Sequence, residues 1–252
     1  FATDDPMGWD LNLSEPSEIV EVWGLGEIVS TLERLEGLAQ YGHYVSLALS
    51  YDAAGAFDPA MHTHRSKAPL LWAGVYGHKS AQILPDPDAG WTVSRWTSHV
   101  DQEDYSKNIK TIRELIRQGQ TYQVNYTLPF ESAFLGDDLA WFHNLGLGQR
   151  ARYCAYLDMD GRKLLSLSPE LFFALDGRDI TVKPMKGTMP RGRFLKEDHE
   201  RRQALKASEK DRAENAMIVD LLRNDLGRIA QPGTVDPHNL FEIEPYPTVF
   251  QM

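Results

Sequence analysis

The sequence predicts an α+β fold, because helical and strand-like segments occur in separate runs rather than in strict alternation. Three segments lead to this class: an amphipathic helix near the middle of the chain, a group of strands after it, and two further helices after the strands. A doubly wound parallel sheet would require strands and helices that alternate one by one. The α+β class is therefore favoured over it.

The first of these segments, residues 104–119, is predicted to be a helix. Its apolar side chains recur at every third or fourth position, which places them on one face of a helix. They are Tyr105, Ile109, Ile112 and Ile116. Gly119 follows the last of them, and glycine is a common helix stop.

The strands come next, in three apolar or alternating runs: RYCAYLDM at 152–159, KLLSLSPELFFAL at 163–175 and DITVKPM at 179–185. An Asp-Gly pair separates each run from the next, at 160–161 and at 176–177. Asp-Gly between strand-like runs is the strongest short signal for a β-hairpin. The sequence therefore predicts an antiparallel meander from about residue 152 to residue 186.

Two further helices are predicted over residues 197–207 and 209–229. Ser208 and Asp211 have the spacing of a capping box at the start of the second helix, so Asp211 is first of all a helix N-terminal charge. In this helix Glu214 falls on the same face as three apolar residues. A carboxylate on a buried face needs a partner or a cation, which makes Glu214 a candidate metal ligand.

Lys186 and Glu170 are charged residues within the predicted second hairpin, on its return strand and its outgoing strand. A three-residue loop at 176–178 would place both on one face of the hairpin, and a two-residue loop would place them on opposite faces. The sequence leaves this register open. On spacing alone, both residues are typical of solvated strand charges. On one face with Glu214 they would supply a nucleophile, a general acid and a metal ligand.

Composition restricts the class of partner and the compartment. A formal net charge of -10 without a long Lys/Arg run argues against a nucleic-acid partner. The single cysteine, Cys154, excludes an internal disulfide and indicates a reducing, cytoplasmic location. The apolar runs are far shorter than the roughly 20 residues of a membrane-spanning helix, so no membrane partner is expected.

The chain begins with Phe1 and stops on the strand-like PYPTVFQM, so we expect a fragment.

Five motifs, in this order along the chain, carry a resemblance to a known family: GQTYQVNYT (119–127), SPELFF (168–173), VKPMKGTMPRG (182–192), EKDRAENAMIVDLLRNDLGRI (209–229) and EPYPTVFQM (244–252). They resemble the chorismate-utilising enzymes, which include anthranilate, aminodeoxychorismate, isochorismate and salicylate synthases. The resemblance implies an anthranilate-synthase-like α+β fold, in which two packed, mainly antiparallel β-sheets carry helices outside. It also implies a single chorismate-binding domain over 1–252, incomplete at its C-terminus, with 1–100 as its N-terminal part and 101–252 as the start of its catalytic region.

The same resemblance implies a magnesium-dependent reaction in which a nucleophile adds to the chorismate ring and a hydroxyl leaves. It assigns Glu170 as general acid or base and Glu214 as a ligand of Mg²⁺, with Asp211 as a second candidate ligand. Gly187 and Thr188 are implied to contact the substrate. We expect the apolar LFF run after Glu170 to shield its carboxyl group. Further ligands of the family lie beyond the end of this chain, so we expect the fragment by itself to be inactive.

Three positions select a branch of the family. In members of the family that attack with water, a lysine near YQVN activates the water. This chain resembles them except that Gln123 stands at that position. An amide cannot act as a general base, so water is not expected to be the nucleophile. Anthranilate synthases usually have Ala in place of Lys186 and His in place of Gln251. In aminodeoxychorismate synthases the lysine forms a covalent adduct, which ammonia from a glutaminase (glutamine amidotransferase) subunit replaces. The resemblance therefore favours amination of chorismate at C4 to 4-amino-4-deoxychorismate, in 4-aminobenzoate and folate biosynthesis.

Two other functions stay open. An anthranilate synthase large subunit would leave Lys186 without a chemical role. A non-catalytic module would use the N-terminal part to bind a partner or an effector amino acid, in a pocket drawn from its tryptophans: Trp9, Trp23, Trp72, Trp91 and Trp96. Scattered tryptophans are more often core residues, however.

Overall fold

The computed structural model describes residues 11–81, 86 and 89–252, and over these residues the predicted α+β class is confirmed. The described chain forms five α-helices and fourteen strands, and every strand pair in it is antiparallel. None of the helices in the described part is long and apolar enough to span a bilayer. Trp9, one of the tryptophans considered above, lies outside the described residues.

The elements follow one another in this order. The first half contains β1 (Glu18–Val22), α1 (Ile28–Gln40), β2 (Tyr44–Leu49), β3 (Leu71–Tyr76), β4 (Trp91–Val93), β5 (Thr97–Ser98), α2 (Gln102–Arg117), β6 (Phe130–Glu131), β7 (Phe134–Gly136) and α3 (Asp138–Gln149). The second half contains β8 (Tyr153–Asp158), β9 (Lys163–Ser168), β10 (Leu171–Asp176), β11 (Asp179–Lys183), β12 (Thr188–Pro190), α4 (Leu195–Ala207), α5 (Glu209–Gly227), β13 (Glu244–Pro245) and β14 (Val249–Gln251). Short 3-10 helices lie at Leu25–Glu27 and Tyr51–Ala56.

The N-terminal sheet belongs to a first compact unit, residues 1–84 with 145–252. Strand β3 lies between β1 and β2, and all six of its residues are buried. A strand covered on both faces is apolar along its whole length, as LWAGVY is. Helix α1 packs on this sheet through Ile28 and Leu35. Trp72, in β3, is 3% exposed and is therefore a core residue.

Residues 85–144 form a second compact unit. Its helix α2 confirms the predicted helix, although it begins and ends two residues earlier than the sequence indicated. Asp101 caps its first turn, because the carboxylate accepts the Asp104 N–H at 2.8 Å. Gly119, at φ 71°, follows its end. The local signals of this helix were therefore sufficient to place it.

The other described tryptophans have separate surroundings. Trp23 is 54% exposed, and the Arg162 guanidinium lies 5.7 Å from the centre of its ring. Trp91 packs against Trp141, with ring centroids 6.2 Å apart. Trp96 is 51% exposed. Trp91 therefore has the packing role that is usual for scattered tryptophans.

The predicted meander is wrong, because the strands after α3 form two separate hairpins. Strand β8 pairs with β9 and β10 pairs with β11, but β9 and β10 form no ladder in the described chain. The chain bends between them at Pro169, which has no N–H to give to a ladder. The Ser168 hydroxyl stabilises the bend, because it accepts the Glu170 N–H at 3.1 Å and donates to the Glu170 carbonyl at 2.9 Å. The long apolar run is therefore two strands.

The second hairpin resolves the register that the sequence left open. Its loop has two residues, Gly177 and Arg178, and a β-bulge near the start of β10 then shifts the register, so that Leu171 pairs with Lys183. Beyond the bulge, the pairing is the one that a three-residue loop would have given. Strand β11 ends at Lys183, so the prediction that Lys186 lies on the return strand is wrong.

Helices α4 and α5 confirm the two helices predicted after the strands, and an ion pair fixes α4 to the chain before it. Arg191 donates to both carboxylate oxygens of Asp198 at 2.7 Å, and to the Tyr246 carbonyl at 2.7 Å. The Gly192 N–H also donates to Asp198, at 2.8 Å. A Cβ at Gly192 would lie 2.1 Å from the Asp198 nitrogen, so this close approach requires glycine.

We expect Asp198→Asn to lower Tm by several degrees at neutral pH and to flatten its fall in acid. Hydrogen bonds from the Arg191 side chain lower the pKa of Asp198 from 3.8 to about 2. Those from the Arg193 backbone and side chain lower the pKa of Glu197 from 4.5 to about 2. Both carboxylates therefore stabilise the fold above their unfolded pKa values and lose this contribution as pH falls through about 2. Tm measured from about pH 6 to pH 2 tests this, with Asp220→Asn, an exposed carboxylate, as the control. Identical curves for the two variants would contradict it.

Candidate functional site

Most of the candidate site residues lie on or against a short backbone segment, Met185–Thr188, which we name the MKGT segment. It leads from β11 into β12 and runs beside the end of β14. The Lys186 N–H donates to the Met252 carbonyl at 2.8 Å, and the Met252 N–H donates to the Gly187 carbonyl at 3.0 Å. These two bonds continue the β12–β14 ladder, which begins at Thr188. The MKGT segment is therefore held by the sheet, although it lies outside β11.

Lys186 has a fixed backbone and an unpaired ammonium group. The residue is half-buried, and within the described residues no hydrogen-bond or ion-pair partner contacts its Nζ atom. A deprotonated lysine amine is a nucleophile. Since no ion pair has to be broken first, the side chain is available to react with a bound ligand.

Gly187 allows helix α5 to approach the MKGT segment. Its φ of 93° lies in the left-handed region that other residues rarely adopt. A Cβ here would lie 3.0 Å from the Asp211 Cβ and 3.3 Å from the Leu205 Cδ1. The missing side chain therefore lets the first turn of α5 pack directly beside Lys186.

We expect Gly187→Ala to destabilise the fold more than Gly177→Ala does. Both glycines have positive φ, 93° and 60°, so each alanine costs roughly 1–2 kcal/mol in backbone conformation. Nothing lies within 4 Å of an added Cβ at Gly177, whereas Asp211 and Leu205 must move at Gly187, which adds about 1–3 kcal/mol. Urea unfolding of both variants measures the difference, and equal free energies of unfolding would contradict the tight contact.

Glu170 reaches the MKGT segment through its carboxylate. Its Oε1 accepts the Met185 N–H at 2.9 Å, directly before Lys186. The apolar shield expected around Glu170 is wrong, because the residue is exposed and Phe172 and Phe173 are 82% and 52% exposed. Its second oxygen accepts no hydrogen bond from the described residues. That oxygen is therefore available to exchange a proton with a ligand.

Thr188 and Gln251 form a polar pair where the β12–β14 ladder begins. The Thr188 hydroxyl donates to the Gln251 Oε1 at 2.9 Å. Thr188 is exposed and Gln251 is half-buried, so both can meet a ligand. Because the hydroxyl uses the amide oxygen, the two N–H groups of the Gln251 amide remain to donate.

Helix α5 carries three carboxylates in its first turns, Glu209, Asp211 and Glu214, and the last two are the candidate ligands. The Asp211 N–H donates to the Ser208 hydroxyl at 3.3 Å, which confirms the predicted cap. The Glu214 Oε1 lies 3.8 Å from the Lys210 Nζ, and the Glu214 side chain is 36% exposed. The described chain contains no group of three His, Cys, Asp or Glu side chains suited to a metal. Mg²⁺ is commonly held by one or two carboxylates with water and substrate oxygens, and Asp211 and Glu214 are of that ligand type.

Asn215 also lies at the site, although it was not among the residues predicted from the sequence. Its side chain is 5% exposed, and its Nδ2 donates to the Met252 carbonyl at 3.2 Å. Its position four residues after Asp211 was the available signal, because that spacing places both on one helix face. The face of Glu214 that was predicted to be buried is only partly covered, since Leu221 is 48% exposed. The site therefore meets α5 at Asp211 and Asn215.

A groove of about 1200 Å³ lies beside the MKGT segment. Its walls come from the β10–β11 hairpin, helix α5 and the chain between α5 and β13. Met185, Asn215 and Met252 line it, whereas Lys186 does not. The candidate site therefore borders this groove.

Comparisons with known proteins agree on one family. The family model described as chorismate binding enzyme matches residues 10–252. Aminodeoxychorismate synthase component 1 of Klebsiella aerogenes is 40% identical over 186 residues, which are 74% of this chain and 40% of that protein. Anthranilate synthase component 1 of Saccharolobus solfataricus is 32% identical over 182 residues, 68% of this chain and 43% of that protein. The crystal structure of anthranilate synthase component I from Streptococcus pneumoniae gives a TM-score of 0.76 at 16% identity, covering 100% of this chain and 70% of that one.

These matches differ in what they establish. The chain spans less than half the length of the two sequence relatives. At 16% identity, the solved structure shows the fold alone, and this fold is the one that the motifs implied. The family model, in contrast, covers nearly the whole chain. The chain therefore belongs to the chorismate-binding enzyme family.

Proposed function

We propose that the protein aminates chorismate at C4 to give 4-amino-4-deoxychorismate, in 4-aminobenzoate and folate biosynthesis. Lys186 carries the proposal, because its backbone is bonded to Met252 while its ammonium has no partner within the described residues. The 40% identity to a protein named aminodeoxychorismate synthase component 1 supports it. A lysine in this state suits covalent catalysis.

Lys186 is the nucleophile of the proposed reaction. After losing a proton to solvent, its Nζ forms a C–N bond to the chorismate ring, and the bond between C4 and its hydroxyl breaks. Glu170 gives a proton to the departing hydroxyl, which leaves as water. Ammonia then forms the new C4–N bond, while Lys186 leaves with the electron pair of its own C–N bond. The net reaction replaces the hydroxyl with an amino group.

Glu214 is proposed to hold Mg²⁺, with Asp211 as a second candidate ligand. When bound, the ion supplies positive charge that holds the ring carboxylate of chorismate. Gly187 and Thr188 are proposed to contact the substrate. The packing of Asp211 on Gly187 supports this arrangement, because it ties the start of α5 to the MKGT segment.

We propose that a glutamine amidotransferase partner supplies the ammonia. The name component 1 of the relative supports a second component. An anthranilate synthase reaction is the other candidate function, and the 32% identical relative favours it. That reaction would leave Lys186 without a role, so amination at C4 is preferred.

Product analysis of the whole protein tests the proposal. Chorismate, Mg²⁺ and ammonium are supplied, followed by the lyase that completes 4-aminobenzoate. We expect 4-aminobenzoate, and we expect chelation of Mg²⁺ to stop the consumption of chorismate. Fluorescent anthranilate would support the other candidate. No consumption of chorismate would overturn both and favour a non-catalytic module.

A further inference from the structure

We infer that Asn215 is a positioning residue, which fixes the position of helix α5 along its axis relative to the backbone of Lys186. The inference rests on the proposed function, because it concerns how Lys186 is presented to chorismate. Asn215 acts through Met252 and is not a catalytic residue. Its removal should therefore slow the covalent step without weakening substrate binding.

One carbonyl oxygen joins helix α5 to the nucleophile. The Met252 carbonyl accepts the Lys186 N–H at 2.8 Å and the Asn215 Nδ2–H at 3.2 Å. A backbone carbonyl has two lone pairs, so these two donors use its full capacity. Asn215 is 5% exposed, so water cannot replace its amide unless the packing opens. The same oxygen therefore links the position of α5 along its axis to the position of the Lys186 backbone.

A second contact, one helical turn earlier, fixes the orientation of α5. Asp211 precedes Asn215 by four residues. Its Cβ lies 3.0 Å from the point where a Cβ at Gly187 would stand. Gly187 in turn accepts the Met252 N–H at 3.0 Å. Two contacts separated by one turn of a rigid helix restrict its sliding and rotation.

Loss of the Asn215 amide would release the Met252 carbonyl and leave the Asp211 contact in place. The Lys186 backbone would then gain freedom relative to α5. A displacement of about 1 Å at a reacting group can cost about 10²-fold in rate. The same loss also weakens packing, so the measurement must separate the rate of reaction from the folded fraction.

The test is single-turnover formation of the adduct between Lys186 and chorismate, in the whole protein without ammonia, followed by mass spectrometry. The variants are Asn215→Ala and the isosteric Asn215→Asp, and the control is Asn224→Ala, at an exposed position of α5. The amplitude reports the folded fraction, and the rate constant reports how Lys186 is held. We expect a rate constant about 10²-fold lower in both Asn215 variants. The chorismate concentration that gives half of the maximal rate should stay unchanged, and so should the rate constant of the control variant. A lower amplitude at the wild-type rate constant would overturn the inference.

Amide hydrogen exchange supplies a readout that needs no activity. Exchange at the Lys186 N–H should be faster in both Asn215 variants than in Asn224→Ala, and unchanged exchange would overturn the inference. If the wild-type protein forms neither adduct nor product, the proposed function fails. The exchange measurement then decides by itself whether Asn215 holds the Lys186 backbone.

Discussion

Lys186→Ala is expected to lower kcat for chorismate amination by at least about 10³-fold and to abolish the covalent adduct. In the proposed mechanism the Lys186 amine forms the bond that divides one difficult displacement into two easier steps. Without it, ammonia must displace the hydroxyl directly. Steady-state kinetics measures kcat, and the mass of the intact protein incubated with chorismate, in the absence of ammonia, measures the adduct.

The alanine variant is expected to remain folded, because Lys186 contributes to the fold through its backbone. Its N–H donates to Met252 whatever the side chain is, and its Nζ has no partner to lose within the described residues. The Tm should therefore change little. Loss of activity without loss of Tm would separate chemistry from folding.

Two variants act as controls for this substitution. Lys186→Arg keeps the charge but should be as inactive as the alanine variant, because a guanidinium stays protonated. Lys206→Ala removes an exposed lysine at the end of α4 and should keep the wild-type kcat. Wild-type kcat in Lys186→Ala would contradict the covalent mechanism.

The helices could be predicted from the sequence because their signals are local. Apolar spacing, a capping residue and a following glycine lie within the helix or beside it, and Ser208 caps α5 as its spacing predicts. Strand pairing depends on residues far apart in the chain. The bend at Pro169 divides one apolar run into two strands that belong to different hairpins, and no periodicity in the run itself indicates this.

The placement of Lys186 could not be derived from hairpin geometry, because two irregularities act together. The two-residue loop at Gly177 and the bulge near Leu171 offset each other in register, and β11 then ends at Lys183. What holds the Lys186 backbone is Met252, at the far end of the chain. The resemblance of the motifs identified Lys186 as a candidate. Its position could not be predicted in the same way, because it depends on pairing between distant segments of the chain.

The contacts that hold the MKGT segment also come from residues that are distant in the sequence. Glu170 accepts its first N–H, Met252 pairs with its middle, and Asp211 packs on Gly187. These contacts come from three different parts of the chain. All three restrain the backbone that carries Lys186, and two of them also place a candidate functional side chain, Glu170 or Asp211, close to it.

Glu170→Gln is expected to lower kcat by about 10²–10⁴-fold and to leave the affinity for chorismate nearly unchanged. In the proposed mechanism the carboxyl group gives the proton to the leaving hydroxyl, and an amide cannot replace it in that role. A glutamine has nearly the same shape, and its amide oxygen can still accept the Met185 N–H. Steady-state kinetics and equilibrium titration with chorismate measure the two effects.

Glu170→Ala separates the chemical contribution of this residue from its structural one. It removes the proton donor and also the acceptor of the Met185 N–H, so amide exchange at Met185 should increase in this variant and not in Glu170→Gln. Glu200→Gln, at a carboxylate 62% exposed on α4, is the control. Wild-type kcat in Glu170→Gln would remove Glu170 from the proposed mechanism. Because the glutamine keeps the bond to Met185, a lower kcat with unchanged exchange is explained by the lost proton transfer and not by a disturbed backbone.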